Sequence, residues 1–414
     1  LVTNMGVGLD SPFLERLERW LYAHHPKYWI DVVEPKKTDI LYRNMDEDKR
    51  IRLESYRRTS GVMNYVRLIN GALSTEPASE WEQPDPIPWQ AIMGRAGNIY
   101  ETYDEFMDAE GHRDWPSIAV YFYRDEWIMG DIAYQQALFE ELYKHQYNPI
   151  IFYGQYGSNP RVGIPNMKLS MNYLFGQDAF PFDVLINTCK FSFQSLGAQT
   201  LEELKLQDVP IVQGYTIYMD EKTWAENPQG VTPLDVNLSI SQPELDGVIH
   251  GGVVACQTFD EQGHYMYLPV KERISAIVQR AIKWSKLRYI PVSERKVAII
   301  LHNYPPKNSN IGSAAGLDTP ESVLRLLRQM QAEGYSIDSV PETSADLMEL
   351  VTSHMTNDRS MLTDELLASA EGRMSSDDYR AYFATLPADT QAAMIKSWGE
   401  APGDVFVYDD DVII

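Results

Sequence analysis

Eight histidines, His24, His25, His112, His145, His250, His264, His302 and His354, are the first residues to weigh for metal or proton chemistry. Neither H-E-x-x-H nor any i, i+4 pair occurs among them, so their spacing builds no metal site. His302 stands apart because it closes an apolar run, KVAIILH (296 to 302), and open α/β sheets bring ligands to the carboxyl ends of their strands. It reads either as a structural strand-end residue or as a ligand-facing one. The loop after it, NYPPKNSNIGSAAGLDTPES (303 to 322), begins with Asn303 and Tyr304 and is crowded with small residues, Gly312 and Gly316 framing SAA. Asp318 or Thr319 suits a helix N-cap, Pro320 the first turn and Glu321 a capping box. Small residues before a helix start serve tight strand-to-helix packing or let backbone N–H groups approach an anion. The spacing matches neither G-x-G-x-x-G nor G-x-x-x-x-G-K-[ST], so both nucleotide fingerprints fail.

Other candidates divide in the same way. Arg124 and Asp125 follow the apolar run SIAVYFY (117 to 123), where an arginine either clamps a ligand carboxylate or forms a salt bridge. Asp409, Asp410 and Asp411 lack the spacing of a calcium loop and read as a solvated turn. Cys189 and Cys256 are far apart in apolar surroundings, which supports neither a disulfide framework nor a zinc site and fits a reducing, cytoplasmic compartment. No G-x-S-x-G elbow is present, and without a Walker A loop any ATP must be hydrolysed by another subunit.

These groups need elements to hold them, and 414 residues exceed what one ordinary core supports. The pattern predicts three regions. Residues 1–116 are expected to be helical, with Phe13, Leu14, Leu17, Trp20 and Leu21 at helix spacing, and to end in a linker rich in proline, TEPASEWEQPDPIPWQ (75 to 90). Residues 117–290 alternate SIAVYFY, a helix over 132–146, NPIIFY (148 to 153), FDVLINT (182 to 188), VPIVQG (209 to 214) and DGVIHGGVVA (246 to 255) with further helical segments near 199–206 and 233–241. They close on a long amphipathic helix over 269–289 that turns Val270, Ile274, Ile277, Val278, Ala281 and Trp284 to one side. Residues 291–414 are expected to open with a second β-α-β unit, KVAIILH, a helix over 319–333 and YSIDSV (335 to 340), followed by a helix-rich stretch. The fold class is therefore α/β and multidomain, with open, mostly parallel sheets of Rossmann-like or flavodoxin-like type and helical segments at both ends. DVFVYDDDVII (404 to 414) reads as strand, acidic turn and strand, and the polypeptide is expected to continue past Ile414.

Charge limits the partners. With 36 Lys+Arg against 59 Asp+Glu the formal net charge is −23, which repels a polyanion, and no basic stripe compensates. Nucleic acid is excluded as an expected partner. No run of about 18 apolar residues offers a membrane span.

Five segments together resemble one family: IAVYFYRDEW (118 to 127), FDVLINTCKFSF (182 to 193), QPELDGVI (242 to 249), KVAIILHNYPPKNSNIGSAAGLDTPES (296 to 322) and SWGEAPG (397 to 403). The family is that of the large subunits of the cobalt and magnesium chelatases, the CobN/magnesium chelatase H family. The resemblance implies a porphyrin or corrin as substrate, AAA+ ATPase subunits as partners, and cobalt, magnesium or iron as the metal inserted or removed. It implies that His302, Asn303, Tyr304, Gly312, Gly316 and Asp318 form a wall of the macrocycle cavity or a domain joint. Glu244 and Asp246 of PELDG, and Arg124, are the further polar candidates. Family members carry an H-x-G-T-H-G-x-x-E block downstream of the WG-x-x-PG segment, so the catalytic groups are expected beyond Ile414, and no metal ligand or bound cofactor is assigned within this chain. Three functions remain open at this point: metal insertion, haem dechelation, and non-catalytic carriage or sensing of a tetrapyrrole.

Overall fold

A computed structural model describes Val2–Asn4, Ile30–Val32 and residues 46–413 apart from 60, 155–164, 166, 177–178, 194–201, 203, 206–207, 260–264 and 354. The chain forms two compact units, residues 1–288 and 289–414.

The first unit is built on an eight-stranded sheet. Its parallel centre comprises β5 (Ser117–Tyr123), β6 (Asn148–Gly154), β7 (Val184–Asn187), β8 (Ile211–Ile217) and β9 (Ile249–Phe259). Every residue of β6, β7 and β8 is buried, which is why these strands read as mostly apolar runs, with Asn148, Asn187, Gln213 and Thr216 as buried polar exceptions. The spatial order β6-β5-β7-β8-β9 is the flavodoxin-like order 2-1-3-4-5, and the chain reverses its direction of travel across the sheet between β5 and β7. Antiparallel strands extend both edges, β3 (Ala91–Met93) and β4 (Ile99–Tyr100) beyond β6, and β10 (Tyr265–Pro269) beyond β9.

The helices follow from their apolar spacing. Between β5 and β6 run α4 (Arg124–Met129) and α5 (Ala133–Lys144), the latter burying Tyr134, Leu138, Phe139 and Leu142. Shorter helices, α3 (Tyr103–Ala109), α6 (Met167–Phe175) and α7 (Glu221–Glu226), follow β4, β6 and β8. The long helix α8 (Lys271–Tyr289) buries Ile274, Ile277, Val278, Ala281 and Ile282 one or two turns apart. Here Val270 precedes the helix and Trp284 stays partly exposed, so the seam is shifted slightly from the expected one. Gly214 in β8 allows the close approach, because a Cβ there would lie 2.6 Å from Ile277 Cδ1 and 2.8 Å from Val254 Cγ1.

Residues before 117 are not helical throughout. A short parallel pair, β1 (Val2–Asn4) with β2 (Ile30–Val32), precedes α1 (Glu47–Thr59) and α2 (Val62–Leu73), and β3 and β4 belong to the large sheet. The helix expected over Phe13 to Leu21 lies outside the described residues, as does most of the one near 199–206. The segment over 233–241 is helical but contains a π-helical turn, Val236–Ser241.

The second unit carries α9 (Thr319–Ala332), α10 (Ser344–Thr352), α11 (Asp364–Ala368), α12 (Ser376–Phe383) and α13 (Ala388–Trp398), with a small antiparallel sheet of β11 (Arg373–Ser375), β12 (Val407–Tyr408) and β13 (Asp411–Ile413). The expected second β-α-β unit is not formed here. KVAIILH is irregular and pairs with no strand among the described residues, leaving Val297 55% and Ile300 91% exposed. YSIDSV is likewise unpaired among them. An apolar run acquires strand geometry from neighbours on both sides, and none is supplied to these two. The DVFVYDDDVII hairpin does form, turning through Asp409 and Asp410 at φ 52° and 64°.

Candidate functional site

The switch point between β5 and β7 is where an open α/β sheet offers a crevice at its carboxyl edge. Three strand ends meet there. Tyr123 closes β5 and leads into α4, Thr188, Cys189 and Lys190 follow β7, and Tyr218 follows β8. The Tyr123 hydroxyl clips the loop after β7, accepting from Lys190 N at 2.8 Å and donating to Lys190 O at 3.0 Å. Below it, Asn187 Nδ2 donates to Gln213 Oε1 at 2.8 Å, and Gln213 Nε2 donates to Cys189 O at 2.9 Å, tying β7 to β8.

Two ionisable groups sit in this frame. The Glu126 carboxylate accepts from the Tyr134 hydroxyl and from Gln135 Nε2, both at 2.6 Å, and Tyr134 lies 3.1 Å from Thr188 Oγ1. Burial pushes the Glu126 carboxyl up to about 8, against the opposing pull of those hydrogen bonds and of the Lys190 charge. Lys190 is 6% exposed. Its Nζ lies 3.7 Å from Asp235 Oδ1 and 3.2 Å from the centroid of the Tyr218 ring, and it makes no hydrogen bond. Burial lowers this amine to about 8, with Asp235 acting in the opposite direction.

Asp235 is fully buried, its Oδ2 accepting from Thr232 Oγ1 at 2.7 Å while Oδ1 has no hydrogen-bond partner. It starts the π-helical turn, whose Leu238 carbonyl accepts from the Phe191 amide at 2.7 Å. Phe191 holds φ 71°, a left-handed conformation that a bulky residue rarely adopts. Strained backbone and π-turns cluster where a fold places chemistry. Complete burial pushes the Cys189 thiol well above its ordinary value, which disfavours the thiolate.

The residues singled out in the sequence fall in several places. Arg124 is 2% exposed, and its guanidinium donates to the carbonyls of Pro88, Thr59 and Ile87 at 2.9, 3.1 and 3.2 Å and stacks 4.5 Å from the Trp89 ring. Its Nε and Nη2 donors fasten the 85–90 segment and the end of α1 to the start of α4. Asp246 is buried and accepts from Ser192 Oγ at 2.8 Å and from the Phe193 amide, so it braces the loop after Lys190. Glu244 is exposed.

His302, Asn303, Tyr304, Gly312, Gly316 and Asp318 lie together on one loop of the second unit. The His302 carbonyl accepts from Gly312 N at 2.7 Å, its ring lies 6.5 Å from that of Tyr304, and Asn303 Oδ1 accepts from Lys307 N at 3.2 Å. Gly312 and Gly316 hold φ 73° and 74°, which explains their identity. Asp318 is the N-cap of α9, accepting from Glu321 N at 3.0 Å. Glu126, Lys190 and Asp235 carry no local motif. The available signal was a lysine inside the apolar stretch INTCKFSF and a glutamate two positions past Arg124, each just beyond the end of a parallel strand. No cluster of three or more metal-ligating side chains occurs among the described residues, and no described helix is long and apolar enough to cross a membrane.

Similarity to known proteins agrees with this architecture. An uncharacterized protein of Methanocaldococcus jannaschii is 30% identical over 393 residues, covering 90% of this chain and 31% of its own length. The aerobic cobaltochelatase subunit CobN of Pseudomonas aeruginosa is 27% identical over 391 residues, covering 90% and 29%. The magnesium-chelatase H protein of Rhodobacter capsulatus is 26% identical over 319 residues, covering 70% and 25%. The chain thus spans about a third or less of the length of these relatives. The catalytic subunit of cobaltochelatase from Mycobacterium tuberculosis shares the fold, with a TM-score of 0.61 and 23% identity over 88% of this chain and 30% of that one. The family model CobN/Magnesium Chelatase matches residues 54–414, and the chain belongs to the CobN/magnesium chelatase family.

Proposed function

We propose that this chain is part of a chelatase large subunit that binds a porphyrin or corrin while a divalent metal, cobalt or magnesium, is inserted. The observation that carries the reading is the family match over residues 54–414. Inserting a metal removes two pyrrole protons and strips water from the ion, and it needs a cavity that holds a flat, carboxylate-bearing ring. ATP hydrolysis falls to an AAA+ partner, consistent with the lack of a Walker A loop in this sequence. The loop from His302 to Asp318 is assigned to a wall of the ring cavity. A cytoplasmic location fits the two free, buried cysteines.

The test combines the full-length protein with its ATPase partner, ATP, metal and a free-base tetrapyrrole. The expected outcome is an ATP-dependent Soret shift to the metallated ring. Absence of a shift with any porphyrin or corrin, under conditions where the ring binds, would turn the reading toward a carrier or sensor. Recovery of free base from a haem would turn it toward metal removal.

A further inference from the structure

At the carboxyl edge of β5, β7 and β8 lies a buried cation whose hydrogen-bond donors the fold leaves unused. An ammonium has three N–H donors. That of Lys190 makes no hydrogen bond, and the carboxylate oxygen it pairs with, Asp235 Oδ1, stands at 3.7 Å. Asp235 supplies the counter-charge, yet leaving the N–H donors of a buried ammonium without hydrogen bonds is costly, and such a group suits an acceptor that arrives from outside. The Tyr218 ring covers the ammonium at 3.2 Å and is itself 42% exposed, so a change of its rotamer would uncover Nζ without disturbing the sheet.

We propose that Lys190 receives a carboxylate arm of the tetrapyrrole, which enters when Tyr218 turns aside and is met by the free N–H donors of Nζ. This rests on the tetrapyrrole reading above and deepens it by naming a subsite. The surroundings suit one negative charge. Asp235 is already engaged by Thr232 and orients the ammonium from a fully buried position. Glu126, held by Tyr134 and Gln135, is the other carboxyl close enough to interact with Lys190, and in its neutral form it adds a donor and no repulsion. The flexible arm of a ring side chain reaches a recessed charge that the ring itself could not approach. The ring would lie outside, over Tyr218.

The test uses deuteroporphyrin IX and its dimethyl ester, which share a ring and differ in having ionisable arms. Each is titrated into the 414-residue chain by tryptophan quenching and Soret shift. The wild-type chain is expected to prefer the diacid. Lys190→Met combined with Asp235→Asn, which removes both charges of the pair together, is expected to weaken the diacid about tenfold and leave the ester unchanged, as for loss of a charge-assisted hydrogen bond. A purely structural role for Lys190 would move stability and leave the diacid-to-ester ratio untouched, which overturns the subsite while the tetrapyrrole reading stands. Failure of the wild-type chain to bind either ring overturns the subsite and removes ring binding from this chain. Tyr218→Ala leaves the charge pair intact and gives an independent measurement: association of the diacid is expected to be faster than in wild type, and an unchanged rate overturns the gate.

Discussion

Lys190 Nζ and Asp235 Oδ1 stand 3.7 Å apart, with both residues withdrawn from solvent at the carboxyl edge of the sheet. A buried pair of this kind gives little net stability, because desolvation consumes most of the attraction, yet breaking it strands one charge. Lys190→Met should therefore destabilise the first unit by about 3 kcal/mol or more, since Asp235 is left uncompensated. Lys190→Met with Asp235→Asn should recover most of that loss. Urea unfolding followed by tryptophan fluorescence compares the variants, and additive losses in the double variant would mean the two side chains are not coupled.

Glu126 and Lys190 give stability opposite pH slopes. The ordinary carboxyl titrates at 4.5 and the folded Glu126 at about 8. Between these values the unfolded chain releases a proton that the folded one keeps, so the Glu126 contribution is complete at low pH and is lost as pH rises to about 8. Lys190 falls from 10.5 to about 8 on folding, so from there upward the unfolded chain binds the extra proton and stability rises. Glu126→Gln keeps an acceptor for Tyr134 and Gln135 and removes the charge. The stability difference between Glu126→Gln and wild type should thus grow between pH 5 and 8, and a pH-independent difference would show that the carboxyl ionises normally.

Arg124 holds three carbonyls from two segments, Thr59 at the end of α1 and Ile87–Pro88 in the proline-rich stretch. Replacing it with methionine keeps volume against Trp89 but leaves those acceptors without their charged donor. The expected cost is roughly 3 kcal/mol, from several hydrogen bonds to a charged group. Amide exchange should accelerate over 85–90 and leave β7 and β8 protected, because the fastening is local. Uniform loss of protection across the sheet would contradict that role.

The parallel core was legible because its strands are buried on both faces and so announce themselves as short, nearly pure apolar runs. KVAIILH has the same signature, and here composition misleads: a strand is a relation between segments, and this one lacks neighbours among the described residues. Arg124 shows the reverse difficulty. Its position past a strand end was readable, whereas the carbonyls that occupy it come from 36 to 65 residues earlier in the chain. Lys190 and Asp235 are 45 residues apart in sequence, and only the crossover from β7 through β8 brings them together. Long-range pairing of this kind leaves no periodicity to read.

The acidic turn at the end of the chain makes the last prediction. Asp409 and Asp410 both hold positive φ, 52° and 64°, between β12 and β13, which is the geometry of a two-residue type I′ hairpin. Aspartate tolerates that region better than most residues, but glycine enters it without the steric penalty of a Cβ. The turn geometry alone accounts for the residues, and no cation is needed to explain a run of three acids. Asp409→Asn with Asp410→Gly supplies the Asn-Gly pair preferred in such turns and removes two like charges beside Asp411. It should raise the stability of the second unit by about 0.5–1 kcal/mol, measured as an upward shift of its unfolding midpoint. If the wild-type aspartates instead held a divalent cation, added calcium or magnesium would stabilise the parent chain and not the variant. The expected result is that neither responds.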